Sequence, residues 1–96
     1  MTFTYTSEEL ANQYRWAEKL RKLVKRQIAE AFLQERFSRK LKLEELSVGV
    51  KIPPQNIEAL ELGRKKLNWV NVGRLLKYYD KKLQISLVDN PHKNLN

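Results

Sequence analysis

Apolar residues recur at spacings of three and four from Leu10 to Phe32, through Tyr14, Ala17, Leu20, Val24, Ile28 and Ala31. That period lines them along one side of a helix. Ser7 is a suitable N-cap, and Glu8 and Glu9 place carboxylates where the helix dipole favours them. No Gly or Pro interrupts the series before Phe37. The pattern predicts a helix from Ser7 to Arg36, about 45 Å long at 1.5 Å per residue. Either it breaks, or its first half projects as an arm. Gln13 and Gln27 stand where a coiled coil wants leucine, so the stripe is expected to pack on the protein's own body or on a dimer mate. Trp16 lies off this stripe and is a candidate for core or interface.

Two shorter helices follow. The first begins at Leu43, with Glu44 and Glu45 in its opening turn, and runs to about Val48. The second begins at Pro53 or Pro54, since proline is tolerated in a first helical turn. Pro54 also drives Pro53 out of the α region, so the turn ends there. Gly63 stops this helix. Leu46, Val50, Ile52, Ile57 and Leu60 supply the inward positions. A further helix is expected over Trp69 to Lys82, with Trp69, Val70, Val72, Leu75, Leu76 and Tyr79 closing the core. Tyr78 and Tyr79 suit core and rim.

Two stretches carry strand alternation instead. Thr2 to Thr6 alternates threonine with Phe3 and Tyr5, and Leu83, Ile85 and Leu87 alternate with Gln84 and Ser86. An edge strand needs a neighbour, either the other stretch or its own copy in a second chain. Asp89-Asn90-Pro91 ends the second stretch, and His92 to Asn96 is expected as a frayed tail. The chain therefore divides into an N-terminal strand and helical arm (1–27), a helical domain with a C-terminal strand (28–88) and a flexible tail (89–96).

Composition narrows the possibilities. Ninety-six residues make one domain with a small core, which favours an oligomer. Without cysteine, disulfides and thiolate metal sites are excluded. No apolar run approaches the ~20 residues of a membrane span, and the N-terminus lacks the order of a secretion signal. A cytoplasmic location and no membrane partner are expected. One histidine (His92) and three glycines leave no metal cluster, nucleophile–base pair or phosphate loop, so no enzyme and no cofactor are expected. The net charge of +8, from 19 Lys plus Arg against 11 acids, suits a polyanionic partner. Arg36, Arg39, Lys40 and Lys42 precede the central helix pair, and Arg64, Lys65 and Lys66 follow it. A second basic face, with Arg15, Lys19, Arg21, Lys22, Lys25 and Arg26, lies along the long helix, either solvated or as further phosphate contacts.

The central segment carries Leu43-Glu44-Glu45-Leu46, then Ser47, Val50 and Ile52, then Ile57-Glu58-Ala59-Leu60-Glu61-Leu62-Gly63. It resembles the Cro/C1-type (XRE) helix-turn-helix family of phage and bacterial repressors, whose second helix enters the major groove. The resemblance covers Leu41 to Gly63 most specifically and the flanking helices, to about Leu87, more loosely. It implies a mainly α, lambda-repressor-like helix-turn-helix bundle of about five helices, with a long N-terminal helix and short N- and C-terminal β-strands. Three positions depart from the family pattern. Leu43 replaces a phosphate-clamping Gln, Lys42 replaces a Ser or Thr N-cap, and Lys51 replaces a turn glycine. The last substitution costs about 1 kcal/mol or more if φ is positive there.

By position the resemblance assigns base contacts to Pro54, Gln55, Asn56 and Ala59. Gln55 and Asn56 carry the amides that pair with adenine. Phosphate contacts fall to Lys42, Lys51, Arg64, Lys65, Lys66 and Asn71. Glu58 would repel phosphate unless paired with a cation or accepting from cytosine, and Glu61 suits a structural role with Arg64 or nearby backbone N–H groups. The function implied is sequence-specific double-stranded DNA binding by a dimeric transcriptional regulator, a repressor. Two alternatives stand beside it. The stretch Leu83 to Asp89, with Tyr5-Thr6-Ser7 and Leu10-Ala11-Asn12, is similar to antitoxins of kinase toxins that dimerise through a strand after the last helix. Leu83, Ile85 and Leu87 would then form the dimer interface, and a toxin would be a second partner. The LEELSVGVKI and IEALE wording also resembles the cytoplasmic helix-turn-helix domain of RodZ-type cell-shape proteins, a protein-docking module.

Overall fold

The computed structural model describes residues 2–91. The fold is mainly helical, with α1 over Ser7–Ser38, α2 over Leu43–Val50, α3 over Pro54–Glu61 and α4 over Trp69–Tyr79. The described residues hold four helices, not about five, because α1 runs unbroken for 32 residues. Its N-cap is Thr6, whose hydroxyl accepts from the Glu9 N–H at 3.1 Å. The long helix gives the molecule its 51 Å dimension against 27 and 24 Å across.

The core sits entirely at one end of α1. Ile28 and Phe32 pack with Leu46 and Val50 of α2, Ile52 of the turn, Ile57 and Leu60 of α3, and Val72, Leu75 and Tyr79 of α4. Leu41, Leu43, Leu67 and Leu76 fill its margin. Trp69 and Val70, expected on the inner face of α4, are 60 and 64 % exposed. At 100° per residue Trp69 lies about 90° and Val70 about 170° around α4 from the buried face of Val72, Leu75 and Tyr79. Gly49 is where the backbone of α2 passes the Tyr78 ring, since a Cβ there would lie 2.6 Å from Cε2.

Three of the four helices stop in a common way. At the end of α1 the Leu41 N–H donates to Arg36 and the Lys40 N–H to Phe37. At the end of α3 the Arg64 N–H donates to Ala59 and the Gly63 N–H to Leu60. At the end of α4 the Lys81 N–H donates to Leu76 and the Asp80 N–H to Lys77. Each is a Schellman closure with one left-handed residue. Gly63 fills that role at α3 (φ 64°), but Lys40 (φ 54°) and Asp80 (φ 55°) fill it elsewhere.

Neither expected strand forms among the described residues. Thr2 to Thr6 and Leu83 to Val88 run without regular structure and are exposed. Leu83, Ile85 and Leu87 are 43, 87 and 98 % exposed. The reason is the one that sets strand stability in general: the two stretches do not meet within one chain, and a strand without a neighbour has no ladder. His92 and the rest of the expected tail from 92 onward lie outside the described residues.

Candidate nucleic-acid interface

α2 and α3 are joined by Lys51, Ile52 and Pro53. Lys51 adopts the left-handed conformation (φ 59°, ψ 44°), the region that suits the glycine the Cro/C1 resemblance would set there. Its N–H donates to the Ser47 carbonyl at 2.8 Å. The Ser47 hydroxyl donates to the Ile52 carbonyl and ties the turn back onto α2. Ile52 is buried in the core. Pro53 is held at ψ 141°, outside the α region as Pro54 requires, and α3 starts at once. Lys42 is the N-cap of α2 with no side-chain capping bond; instead its N–H donates to the Glu45 carboxylate at 3.2 Å.

The orientation of α3 follows from this turn. Ile57, Leu60 and Glu61 are buried, whereas Gln55, Asn56 and Glu58 are exposed, and Pro54 and Ala59 are half-buried. A shallow open pocket of about 230 Å³ lies between α3, the following loop and the start of α4. Asn56, Ala59, Lys65, Lys66 and Asn71 all line it. It thus gathers two expected base-contacting residues with three expected phosphate-contacting ones. Asn68 stands beside them as N-cap of α4, accepting from Val70 and Asn71 N–H groups at 3.0 and 3.2 Å. Gln55, Pro54, Arg64, Lys42 and Lys51 lie outside the pocket. Gln55, Arg64, Lys42 and Lys51 are nevertheless exposed.

Leu43, where the Cro/C1 resemblance would set a Gln, packs against the core. Arg64 and Glu58 approach to 3.8 Å with both side chains at least half exposed. Screening by solvent makes that a weak pair, which still offsets the negative charge near the pocket.

Glu61 corrects an expectation. It is paired with neither Arg64 nor the loop backbone. Its carboxylate, 2 % exposed, takes both prongs of the Arg36 guanidinium, Nε at 2.8 Å and Nη2 at 3.0 Å. Arg36 Nη1 donates to the Leu41 carbonyl at 3.0 Å. The hydrogen bond to Glu61 pushes the Arg36 pKa further up, so the guanidinium stays charged at every accessible pH. Arg36 therefore bolts α1 to α3 and is no phosphate ligand. Arg39 is also engaged in the fold, donating to the Tyr79 carbonyl at 2.8 Å and lying 4.9 Å from that ring's centroid. Tyr79 is buried with no partner for its hydroxyl, and burial pushes its pKa up to about 12.

The sequence view overlooked Arg74, which donates from Nη1 to the Lys51 carbonyl at 3.4 Å and sets a second cation beside the turn. Its spacing of three from Asn71 on α4 was the available signal. A larger open groove of about 690 Å³ lies between α1 and the end of α3, lined on one side by Lys19, Lys22, Lys25 and Arg26 and on the other by Leu62 and Gly63. Among the described residues no acid, His or Cys group could hold a metal, and no helix is long and apolar enough to cross a membrane. No family model, curated protein or solved structure gave a match to this chain.

Proposed function

We propose that α2, the left-handed turn at Lys51 and α3 form a helix-turn-helix of the Cro/C1 type that binds double-stranded DNA in a sequence-specific way. The chain would act as a dimeric transcriptional regulator, a repressor. One observation carries the reading: Asn56 and Ala59 on the exposed face of α3 share a concave surface with Lys65, Lys66 and Asn71. Such a surface offers amides to base edges and cations to phosphates together. The net charge of +8 supports the same partner. Glu61 buried against Arg36 has the role of a residue that fixes α3 on the body, and so fixes how its outer face is presented.

The test is selection from a random duplex pool, followed by titration of the selected DNA against scrambled DNA. Gln55→Ala with Asn56→Ala should remove the preference for the selected sequence by about 10-fold or more and leave thermal stability unchanged. Lys65→Ala with Lys66→Ala should weaken binding to every sequence and flatten the salt dependence by about two counterions. No sequence preference in the native protein at low salt, with the fold intact, would sink the proposal.

The exposed arm of α1 favours a second reading, an antitoxin that also binds a toxin protein. Co-purification with the product of an adjacent gene would distinguish it. Leu83, Ile85 and Leu87, exposed in the single chain, are the dimer contacts that this resemblance offers.

A further inference from the structure

The first two-thirds of α1 contributes nothing to the core: no residue from Ser7 to Gln27 is buried. Leu10, Tyr14, Leu20 and Val24 are 41, 73, 53 and 39 % exposed. This stripe has a property that packing on the protein's own body does not require. Leu10, Tyr14, Ala17, Leu20 and Val24 are separated by 4, 3, 3 and 4 residues. The series reads the same from either end. Reversing the helix about Ala17 exchanges Leu10 with Val24 and Tyr14 with Leu20.

We infer that the arm is an interface for a second copy of this chain, laid antiparallel with a two-fold axis beside Ala17. In such an isologous contact every member of the stripe meets another member of the stripe. Ala17, the smallest of them, sits at the crossing and lets the two helices approach closely. Charge selects the direction. Glu8 and Glu9 open the arm, while Lys19, Arg21, Lys22, Lys25 and Arg26 crowd its second half. A parallel pair would set basic half against basic half; the antiparallel pair sets the acidic end beside the basic one and opposes the helix dipoles.

Length fits as well. With Ala17 at the centre, Ser7 of one copy falls opposite Gln27 of the other. The partner helix therefore ends one residue before Ile28, where the core begins. At 100° per residue the stripe centres roughly 65° around α1 from Ile28, Ala29 and Phe32. Ile28 and Phe32 nevertheless share the azimuths of Leu10 and Tyr14, eighteen residues before them, so partner and body are kept apart along the helix axis: the partner ends where the core begins. The two-fold axis leaves both bodies on the same side of the pair, their Ile28 positions roughly 33 Å apart along the helices.

The interface is independent of DNA, and so is its test. Sedimentation equilibrium on the full chain without DNA should show a dimer at about 100 µM. Ala17→Glu and Leu20→Glu, both on solvent-accessible helix, should raise the dissociation constant at least tenfold with an unchanged monomer melting temperature. Ile85→Glu, in the C-terminal segment, should not. Direction is read by cross-linking, which the absence of native cysteine makes unambiguous. Mixing Leu10→Cys with Val24→Cys under mild oxidation should give the mixed 10–24 disulfide over either self-disulfide, because like positions would lie about 21 Å apart. A monomer at that concentration overturns the inference. So does a dimer that Ile85→Glu dissociates and Ala17→Glu does not, or 10–10 and 24–24 bridges in place of 10–24. A stripe covered by the chain's own 83–88 segment, or only by a different protein, would give the monomer result.

Discussion

Phe32 and Leu20 belong to the same helix and the same apolar series, twelve residues apart, yet Phe32 is 4 % exposed and Leu20 is 53 % exposed. Beyond Ile28, α1 is one wall of a core shared with α2, α3 and α4. Before Ile28 it is a bare helix. Periodicity announces that a face is to be covered; what covers it depends on chain that lies elsewhere or on another molecule. Isolated helices are marginal in water, so the arm inherits its order from the body that anchors its C-terminal end. The contrast can be broken most directly at these two residues. Phe32→Ala should destabilise the fold by about 3–5 kcal/mol, whereas Leu20→Ala, measured where the chain is monomeric, should stay within about 0.5 kcal/mol. Chemical denaturation followed by circular dichroism reads both. Equal losses would mean that the arm and the body unfold as one packed unit.

Arg36 stands where the body grips the long helix. Replacing it with methionine leaves the Glu61 carboxylate buried and alone, and breaking a buried pair costs about 3–5 kcal/mol. The double replacement Arg36→Met with Glu61→Leu should recover most of that loss, because both charges leave together. Were the single replacement tolerated within about 1 kcal/mol, Glu61 would have to find other partners, and the position of α3 would not depend on this bolt.

Tyr79 gives an alkaline limit that belongs to the body alone. Its pKa is pushed up from 10.0 to about 12, first by burial and then by the nearby Glu61 carboxylate, against the opposing pull of Arg36 and Arg39. The unfolded chain gives up this proton at the ordinary value, so the contribution is intact below pH 10 and is lost as pH rises toward 12. The loss should reach about 2 kcal/mol. Tyr79→Phe should remove this pH dependence and cost little near neutrality, since the hydroxyl has no hydrogen-bond partner to lose. Denaturation midpoints between pH 9 and about 12 check it.

The elements were legible where the determinants are local. The acidic first turn of α2, the double proline and Gly63 mark α2 and α3 to within about two residues. The positive φ at Lys51 follows from its place in the turn. The pairing of Arg36 with Glu61 was hidden because it joins residues 25 apart across a fold not yet built. The alternation at Leu83, Ile85 and Leu87 was visible, yet alternation specifies a face and not a neighbour. Of the residues proposed to contact DNA, those on α3 and its following loop share one concavity because they are close in sequence. Arg74 reaches the turn only through the packing of α4 on α2.

The smallest effect separates stability from the proposed function at a single residue. Lys51, Lys40 and Asp80 hold left-handed backbone without being glycine, and each such residue costs about 1 kcal/mol or more. Lys51→Gly should therefore stabilise the fold, by only about 0.5 kcal/mol once the extra freedom of glycine in the unfolded chain is subtracted. The same change removes an exposed cation from the turn that leads into α3. If Lys51 touches a phosphate, the more stable variant should bind DNA more weakly at every sequence and show a salt slope lower by about one counterion. A strained lysine where glycine is easier is then explained by the charge it delivers. If binding is unchanged while stability rises, the left-handed lysine has no part in DNA contact, and the phosphate grip rests on Lys65 and Lys66 across the pocket.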